Sequence, residues 1–327
     1  LIEGTLGLKL FGASIQDDGH VRNTTLNTDV GGDDKTNYGF TVLWEPNDDF
    51  DLKVHHEIME DNSEQGAYTN RNVVGELACT ITQIGFDPAN GCEKDANDGP
   101  DTTESDGSNF SNNDYETTIV TANFNTEAFL YTYIYSLRDM DEQNMQDFDG
   151  APAHLLRMNF FNDWEQTSHE FRVTSQFSDT VQFIAGFYDW EADFDQRWDV
   201  YDLFYQLSRL GVPPWGAGRQ GVEGYSDVFP WEEDVAGNNG QSQLTTSTAV
   251  FFSADWFVSD NWTLTAGFRW TEEEKDFVGG ASAPGYYPLR GEPWPGIFNP
   301  YEAKAKWTET TPKLGLRYQP SDDAMFY

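Results

Sequence analysis

Nowhere in the sequence do apolar residues run for the roughly 18 to 20 positions that a membrane-crossing helix needs. That excludes helical membrane spans and nothing more, because transmembrane β-strands alternate and their averaged hydropathy is low. Basic residues are scarce: 19 Lys and Arg face 56 Asp and Glu, a formal charge of −37 over 327 residues. Nucleic-acid binding needs a basic footprint, so nucleic acid is excluded as a partner. A protein lying on an anionic membrane surface would need the same footprint. Acid in such excess serves either solubility in salty water or cation binding. Cysteine is nearly absent, with Cys79 and Cys92 in one polar stretch. Their spacing would close a short loop, as a disulfide in an oxidising compartment or as two free thiols. Without histidines nearby they make a poor zinc site, and no metal site is expected.

Catalytic patterns are missing too. His20, His55, His56, His154 and His169 are scattered, and no nucleophile motif or phosphate-binding glycine loop stands in a supporting context. Carboxylates are so abundant that two close in sequence say nothing about a catalytic pair. An enzyme is not expected, and no cofactor is implied. The chain opens at Leu1 without a basic, apolar-cored signal peptide and stops at Tyr327 inside a strand-like pattern. It reads as an internal fragment, so that lack leaves the location open.

What the sequence has is aromatics, 15% of residues, a share expected where rings sit at membrane interfaces. It also has long two-faced strands. In "NWTLTAGFRWTEEEKDF", Trp262, Leu264, Ala266, Phe268 and Trp270 share one face; Thr263, Thr265, Gly267, Arg269 and Thr271 share the other. The pattern recurs from "TLGLKLFG" near the start to "TTPKLGLRYQPSDDAMFY" at the end. Strands of about 9 to 12 residues, as a tilted bilayer crossing needs, pair into hairpins with short turns near 47, 125, 178, 260 and 321. Between the hairpins lie long polar stretches near 13–35, 61–114, 138–166, 192–244 and 273–307. A compact soluble domain has little room for such loops, whereas outer-membrane barrels place short turns at one end and long loops at the other. With the apolar face toward lipid, Lys53, Glu57, Glu170, Arg172, Arg269, Lys313 and Arg317 face the lumen. Trp44, Trp190, Trp256, Trp262 and Trp270 fall near strand ends, where interfacial rings belong.

"SHEFRVTS" (168–175), "IAGFYDWEAD" (184–193), "LTAGFRWTEEEKDF" (264–277) and "TPKLGLRYQPSDDAMFY" (311–327), in that order and spacing, resemble the barrel of a TonB-dependent outer-membrane receptor. Residues 1 to 165 are similar in layout and weaker in motif. The resemblance implies an all-β transmembrane antiparallel barrel of 22 strands, with long extracellular loops and short periplasmic turns, plugged by an N-terminal domain. This chain would supply ten of those strands and the opening of an eleventh, one partial barrel domain over 1–327 with plug and C-terminal strands absent. It implies a receptor that takes up a scarce ligand, a ferric siderophore by default. Its partners would be TonB–ExbB–ExbD, contacted through the missing N-terminal region, together with the iron chelate or other small ligand, outer-membrane lipid and lipopolysaccharide. Two other readings remain: a passive porin-like outer-membrane channel, and a secreted glycan-binding β-protein.

The stretch 192–244 is the main ligand candidate, since its nine aromatics are interspersed with three arginines. Rings can stack on a sugar, a catecholate or a porphyrin, and arginine can pair with an anion. Trp198, Tyr201, Trp215, Arg219 and Trp231 are the expected contacts; the alternative is that these rings pack the loop against itself. "DVYDLFYQLSRLG" could form a short helix ending at Gly211. The acidic stretch 61–114 reads either as a solvated loop or as a binder of divalent cations.

Overall fold

A computed structural model describes residues 4–69, 101–105, 107, 109–151, 156–201, 235–282, 301–321 and 323–327. Among the described residues are fourteen strands: β1 (Leu6–Gln16), β2 (Val21–Asn23), β3 (Thr28–Val30), β4 (Asp34–Asn47), β5 (Phe50–Asp61), β6 (Thr102–Thr103), β7 (Phe110–Asn125), β8 (Phe129–Asp147), β9 (Arg157–Ser175), β10 (Val181–Tyr201), β11 (Val235–Ser259), β12 (Trp262–Ser282), β13 (Tyr301–Ser321) and β14 (Ala324–Phe326). Eleven form one sheet in the order β1-β4-β5-β7-β8-β9-β10-β11-β12-β13-β14, each neighbour antiparallel. This matches the expected ten strands and the opening of an eleventh. The remaining β3-β2-β6 form a small sheet among the long connections.

Turn chemistry fixes the short end. The Asp49 amide donates to Asn47 Oδ1 (2.9 Å), Phe129 N to Thr126 Oγ1 (2.9 Å), and Thr180 N to Ser178 Oγ (3.1 Å), each a side chain standing in for a turn carbonyl. The turns fall at 48–49, 126–128, 176–180, 260–261 and between Ser321 and Ala324, as expected. The strand ends that flank the five longer connections lie at the opposite end.

The strands themselves are longer than expected. Instead of 9 to 12 residues, β8 and β9 have 19 each, β10 has 21 and β11 has 25. The stretch 138–166 is therefore mostly strand, leaving only 148–156 as connection, and 192–201 and 235–244 are likewise strand. Apolar alternation stops where the bilayer would stop, but backbone pairing continues outward on polar side chains, which carry no alternation to read. On β8, Phe129, Tyr131, Tyr133, Tyr135 and Leu137 share the apolar face, spanning about 26 Å along the strand. With a tilt of about 40° that span rises about 20 Å, most of the roughly 25 Å apolar band of an outer-membrane barrel.

The apolar face is exposed or half-buried along its length, most open toward the sheet's edges, with Leu314 at 85% and Leu10 at 73%. Its rings touch in rows across strands: Phe183–Phe252 at 5.8 Å and Phe252–Phe268 at 6.4 Å near the turn end. Further up, Tyr131–Phe171 lie at 6.4 Å, and Tyr133 Oη meets His169 Nδ1 at 2.8 Å. Trp44, Trp256, Trp262 and Trp270 sit on this face. Trp190 does not: it stands opposite Ser168 and Ser247 on the polar face, because its place in the register shares parity with Tyr188 and Gly186.

Just beyond the apolar band the same face turns acidic. Glu60, Asp114, Asp141, Asp163 and Asp195 stand directly across from one another on β5 and β7–β10. One row nearer the band, Glu116, Asp139, Glu165 and Asp193 do the same. Burial pushes the Asp163 carboxyl above the usual carboxylate range, and Asp139, Asp141, Asp195 and Glu165 push it further.

Candidate functional site

On the polar face at the same height, the chemistry is the reverse. Glu142, Asn162, Gln196 and Gln241 face one another across β8–β11. They form a continuous ladder: Asn162 Nδ2 donates to Glu142 Oε2 (2.8 Å), Gln196 Nε2 to Asn162 Oδ1 (2.8 Å), and Gln241 Nε2 to Gln196 Oε1 (2.9 Å). Tyr115 of β7 closes the row, its hydroxyl donating to Glu142 Oε1 at 2.5 Å. Burial first, and then the bond to Glu142, raise the Tyr115 hydroxyl well above its ordinary value, so it stays a donor.

Aromatic rows flank the ladder. On the turn side, Trp164 and Phe194 lie at 5.5 Å; on the loop side, Phe160 and Trp198 stack at 6.3 Å with 22° between planes. The outer row continues through Phe148, 6.0 Å from Phe160, to Tyr68, 5.4 Å from Phe148. Tyr68 is carried there by the segment after β5, pinned where Gln65 Nε2 donates to Asn144 Oδ1 (2.9 Å) and Gln146 Nε2 to the Gly66 carbonyl (2.8 Å).

A buried polar hub holds the connections around this wall. Asp147, with no exposed surface, accepts from Ser105 Oγ (2.6 Å) and from the amides of Asp149 (3.1 Å) and Gly150 (3.2 Å). Asn23, at 1% exposure, donates to the Ser105 carbonyl (2.9 Å) and accepts from the Thr25 and Leu26 amides. One buried cluster thus ties the β2–β3 excursion, the strap around 101–107 and the tip of the β8–β9 hairpin.

The expected ligand residues are divided by this arrangement. Trp198 belongs to the outer aromatic row, as part of β10 rather than of a loop. Tyr201 is the last residue of β10. Trp215, Arg219 and Trp231, and Cys79 and Cys92, lie outside the described residues; of the helix expected over 199–211, Asp199, Val200 and Tyr201 are instead the end of strand β10 and the rest lies outside the described residues. Arg172, Arg269, Lys313 and Arg317 all stand on the polar face. Arg172 makes a two-point contact with Glu170 (2.5 and 2.8 Å), and Arg317 donates to Thr263 Oγ1 (2.8 Å). Arg269 donates to Thr271 Oγ1 (3.1 Å) and lies 5.8 Å from the Tyr188 ring. Phe160, Asn162, Trp164 and Gln196 were not singled out from the sequence. "FFNDWEQ" carries the signal when every second residue is taken, as an extended chain requires.

The family model for "TonB dependent receptor-like, beta-barrel" matches residues 61–327. The chain belongs to this family. Its place is the cell outer membrane. Among solved structures, it is similar to the ferric yersiniabactin uptake receptor FyuA of Yersinia pestis, with TM-score 0.65 and 12% identity over 98% of this chain and 41% of that one. The siderophore receptor PiuA of Acinetobacter baumannii gives 0.58 and 9%, over 98% and 44%. The copper transporter OprC gives 0.51 and 13%, over 97% and 39%. At such identities these likenesses concern the fold, and the chain spans about two fifths of those proteins' length. No curated protein matches the chain.

Proposed function

We propose that the whole protein of this TonB-dependent receptor barrel is an energy-coupled importer, not an enzyme, that takes up a scarce ligand, with ferric siderophores as the first class to test. The observation that carries the reading is the aromatic-and-amide wall on the polar face of β7–β11, raised above the membrane within a receptor-family barrel. In this reading the polar face lines the lumen, so Arg172, Arg269, Lys313 and Arg317 look into it below the wall. Trp198 and Tyr201, together with Trp215, Arg219 and Trp231, would close over a ligand held there. The whole protein would bring a plug and a TonB-contacting segment, and TonB–ExbB–ExbD would supply the energy. Lipid and lipopolysaccharide would surround the apolar face, and Cys79 and Cys92 would be joined in the extracellular stretch.

The test is uptake of radiolabelled ferric siderophores by iron-starved cells producing the full-length protein, with and without TonB. Uptake that stops without TonB supports the importer. Uptake that continues without TonB makes the barrel a passive porin-like channel.

A further inference from the structure

The wall's chemistry is unusual for this chain. β8–β11 place fifteen described side chains on the polar face from the Arg138–Gln166 row to the Asn144–Phe160 row; six are Asn or Gln and four are aromatic. Arg138 and Glu142 are the charged members, and Glu142 is committed to Tyr115 and Asn162. The opposite face of these strands carries the acidic rows. In a protein of formal charge −37, an almost uncharged surface of rings and amides is a local departure.

An anionic chelate held by charge needs several guanidinium or ammonium groups pointed at it. Within the described part of this wall only Arg138 qualifies, at its membrane end. Flat rings beside side-chain amides suit a ligand with an apolar ring face and an uncharged hydroxylated rim. The ring face stacks on the indole or phenyl, and the hydroxyls exchange hydrogen bonds with amide N–H and C=O groups, which offer both donor and acceptor. Pyranoses have that shape. The run Tyr68–Phe148–Phe160–Trp198, with successive centroids 5.4, 6.0 and 6.3 Å apart, presents such rings in series.

We propose that the aromatic and amide rows of β8–β11 bind an uncharged saccharide, with Phe160 and Trp198 stacking on sugar rings and Asn162, Gln196 and Gln241 meeting their hydroxyls. The proposal rests on the importer reading and names the chemistry that its wall accepts. The sugar can come from a free neutral oligosaccharide or from the sugar part of a glycosylated iron chelate.

The experiment is a titration of the full-length receptor in detergent, read by tryptophan fluorescence and calorimetry. The probes are maltohexaose, xylohexaose, chitohexaose, a glucosylated ferric tricatecholate and its unglucosylated parent. Saturable binding of at least one neutral oligosaccharide, or a tenfold preference for the glucosylated chelate over its parent, is expected, and which of these occurs separates the two sources. Trp198→Ala and Asn162→Leu should each weaken it by about tenfold, while Trp198→Phe retains most of it. Heat-modifiable gel migration checks that each variant is a folded barrel. The proposal is overturned if no neutral sugar binds and the two chelates bind alike, or if sugar binding is the same in Trp198→Ala and Asn162→Leu as in the unaltered protein. TonB-dependent uptake of the unglucosylated chelate without sugar binding would keep the importer and discard the saccharide.

Discussion

At the scale of single residues, burial and facing like charges act on the same carboxyl, burial the more strongly. Asp163 has carboxylates directly opposite it on both sides, Asp141 and Asp195. Like charges facing across strands are destabilising by a few tenths to about 1 kcal/mol, and solvent screening keeps an exposed case at the lower end. A carboxyl whose pKa is raised in the folded state is penalised once ionised. That penalty is absent well below the ordinary carboxylate range and is fully present once pH exceeds the raised value. Asp163→Asn should therefore stabilise the full-length barrel by about 0.5 kcal/mol at neutral pH. The gain should shrink toward pH 4 and in high salt; thermal melts that show a loss, or a gain constant across pH, would contradict the repulsion. Tyr115 behaves differently, since its hydroxyl donates to Glu142 at the head of the amide ladder. Tyr115→Phe should cost about 1 kcal/mol, the ordinary value of such a bond, and should weaken ligand binding through a looser Glu142.

At the scale of elements, glycine and buried acid do what the alternation could not announce. Gly39 of β4 faces Phe11 of β1, whose ring passes over it to stack on His55 at 5.8 Å. A Cβ at Gly39 would lie 2.2 Å from the His56 carbonyl oxygen and 2.7 Å from the Phe11 ring. Gly39→Ala should cost about 1–3 kcal/mol and release Phe11, visible as lost heat-modifiability at lower temperature. Asp147 is the corresponding element in the loops. Asp147→Ala leaves the Asp149 and Gly150 amides without their acceptor, at about 1–3 kcal/mol for each group left unsatisfied, while the Ser105 hydroxyl turns to the Gly107 carbonyl (3.2 Å). The barrel strands do not depend on that bond, so limited proteolysis should cut the 62–109 connection sooner while the barrel's melting stays near its original temperature. An unchanged cleavage rate would mean the hub does not order the loop. The turns and the pairing order were legible in the sequence because "PNDD" and similar stretches sit between alternating runs. The outer halves of β8–β11 were not, since "RDMDEQNMQD" and "FFNDWEQ" alternate between two polar faces, and hydropathy shows no period there. For the same reason the site was only partly legible: Trp198 stood out as an aromatic, whereas Asn162 and Gln196 matter through partners on neighbouring strands.

At the scale of the whole molecule, the sheet separates its charge by height and by face. The apolar face, set against lipid in the proposed reading, turns abruptly to carboxylates above the apolar band; at that same height the polar face carries amides and rings. Two acidic rows, one across β5 and β7–β10 and one across β7–β10, repel one another and any anionic headgroup beside them. Their mutual repulsion acts over distances of a few strands, about 5 to 15 Å, comparable with a Debye length of about 10 Å at 0.1 M salt. Ionic strength should therefore govern the stability of the extracellular half of the barrel more than that of the membrane half, whose aromatic rows are indifferent to salt. Raising sodium chloride from about 0.02 to 0.5 M should raise the melting temperature of the full-length receptor in neutral detergent by several degrees. Hydrogen exchange should show the added protection in the outer parts of β7–β10, around Asp114, Asp141, Asp163 and Asp195, rather than around Phe183 and Phe252. If the melting temperature does not change with salt, or if protection rises evenly along the strands, the acidic rows are neutralised within the fold and the separation of charge by height has no energetic consequence.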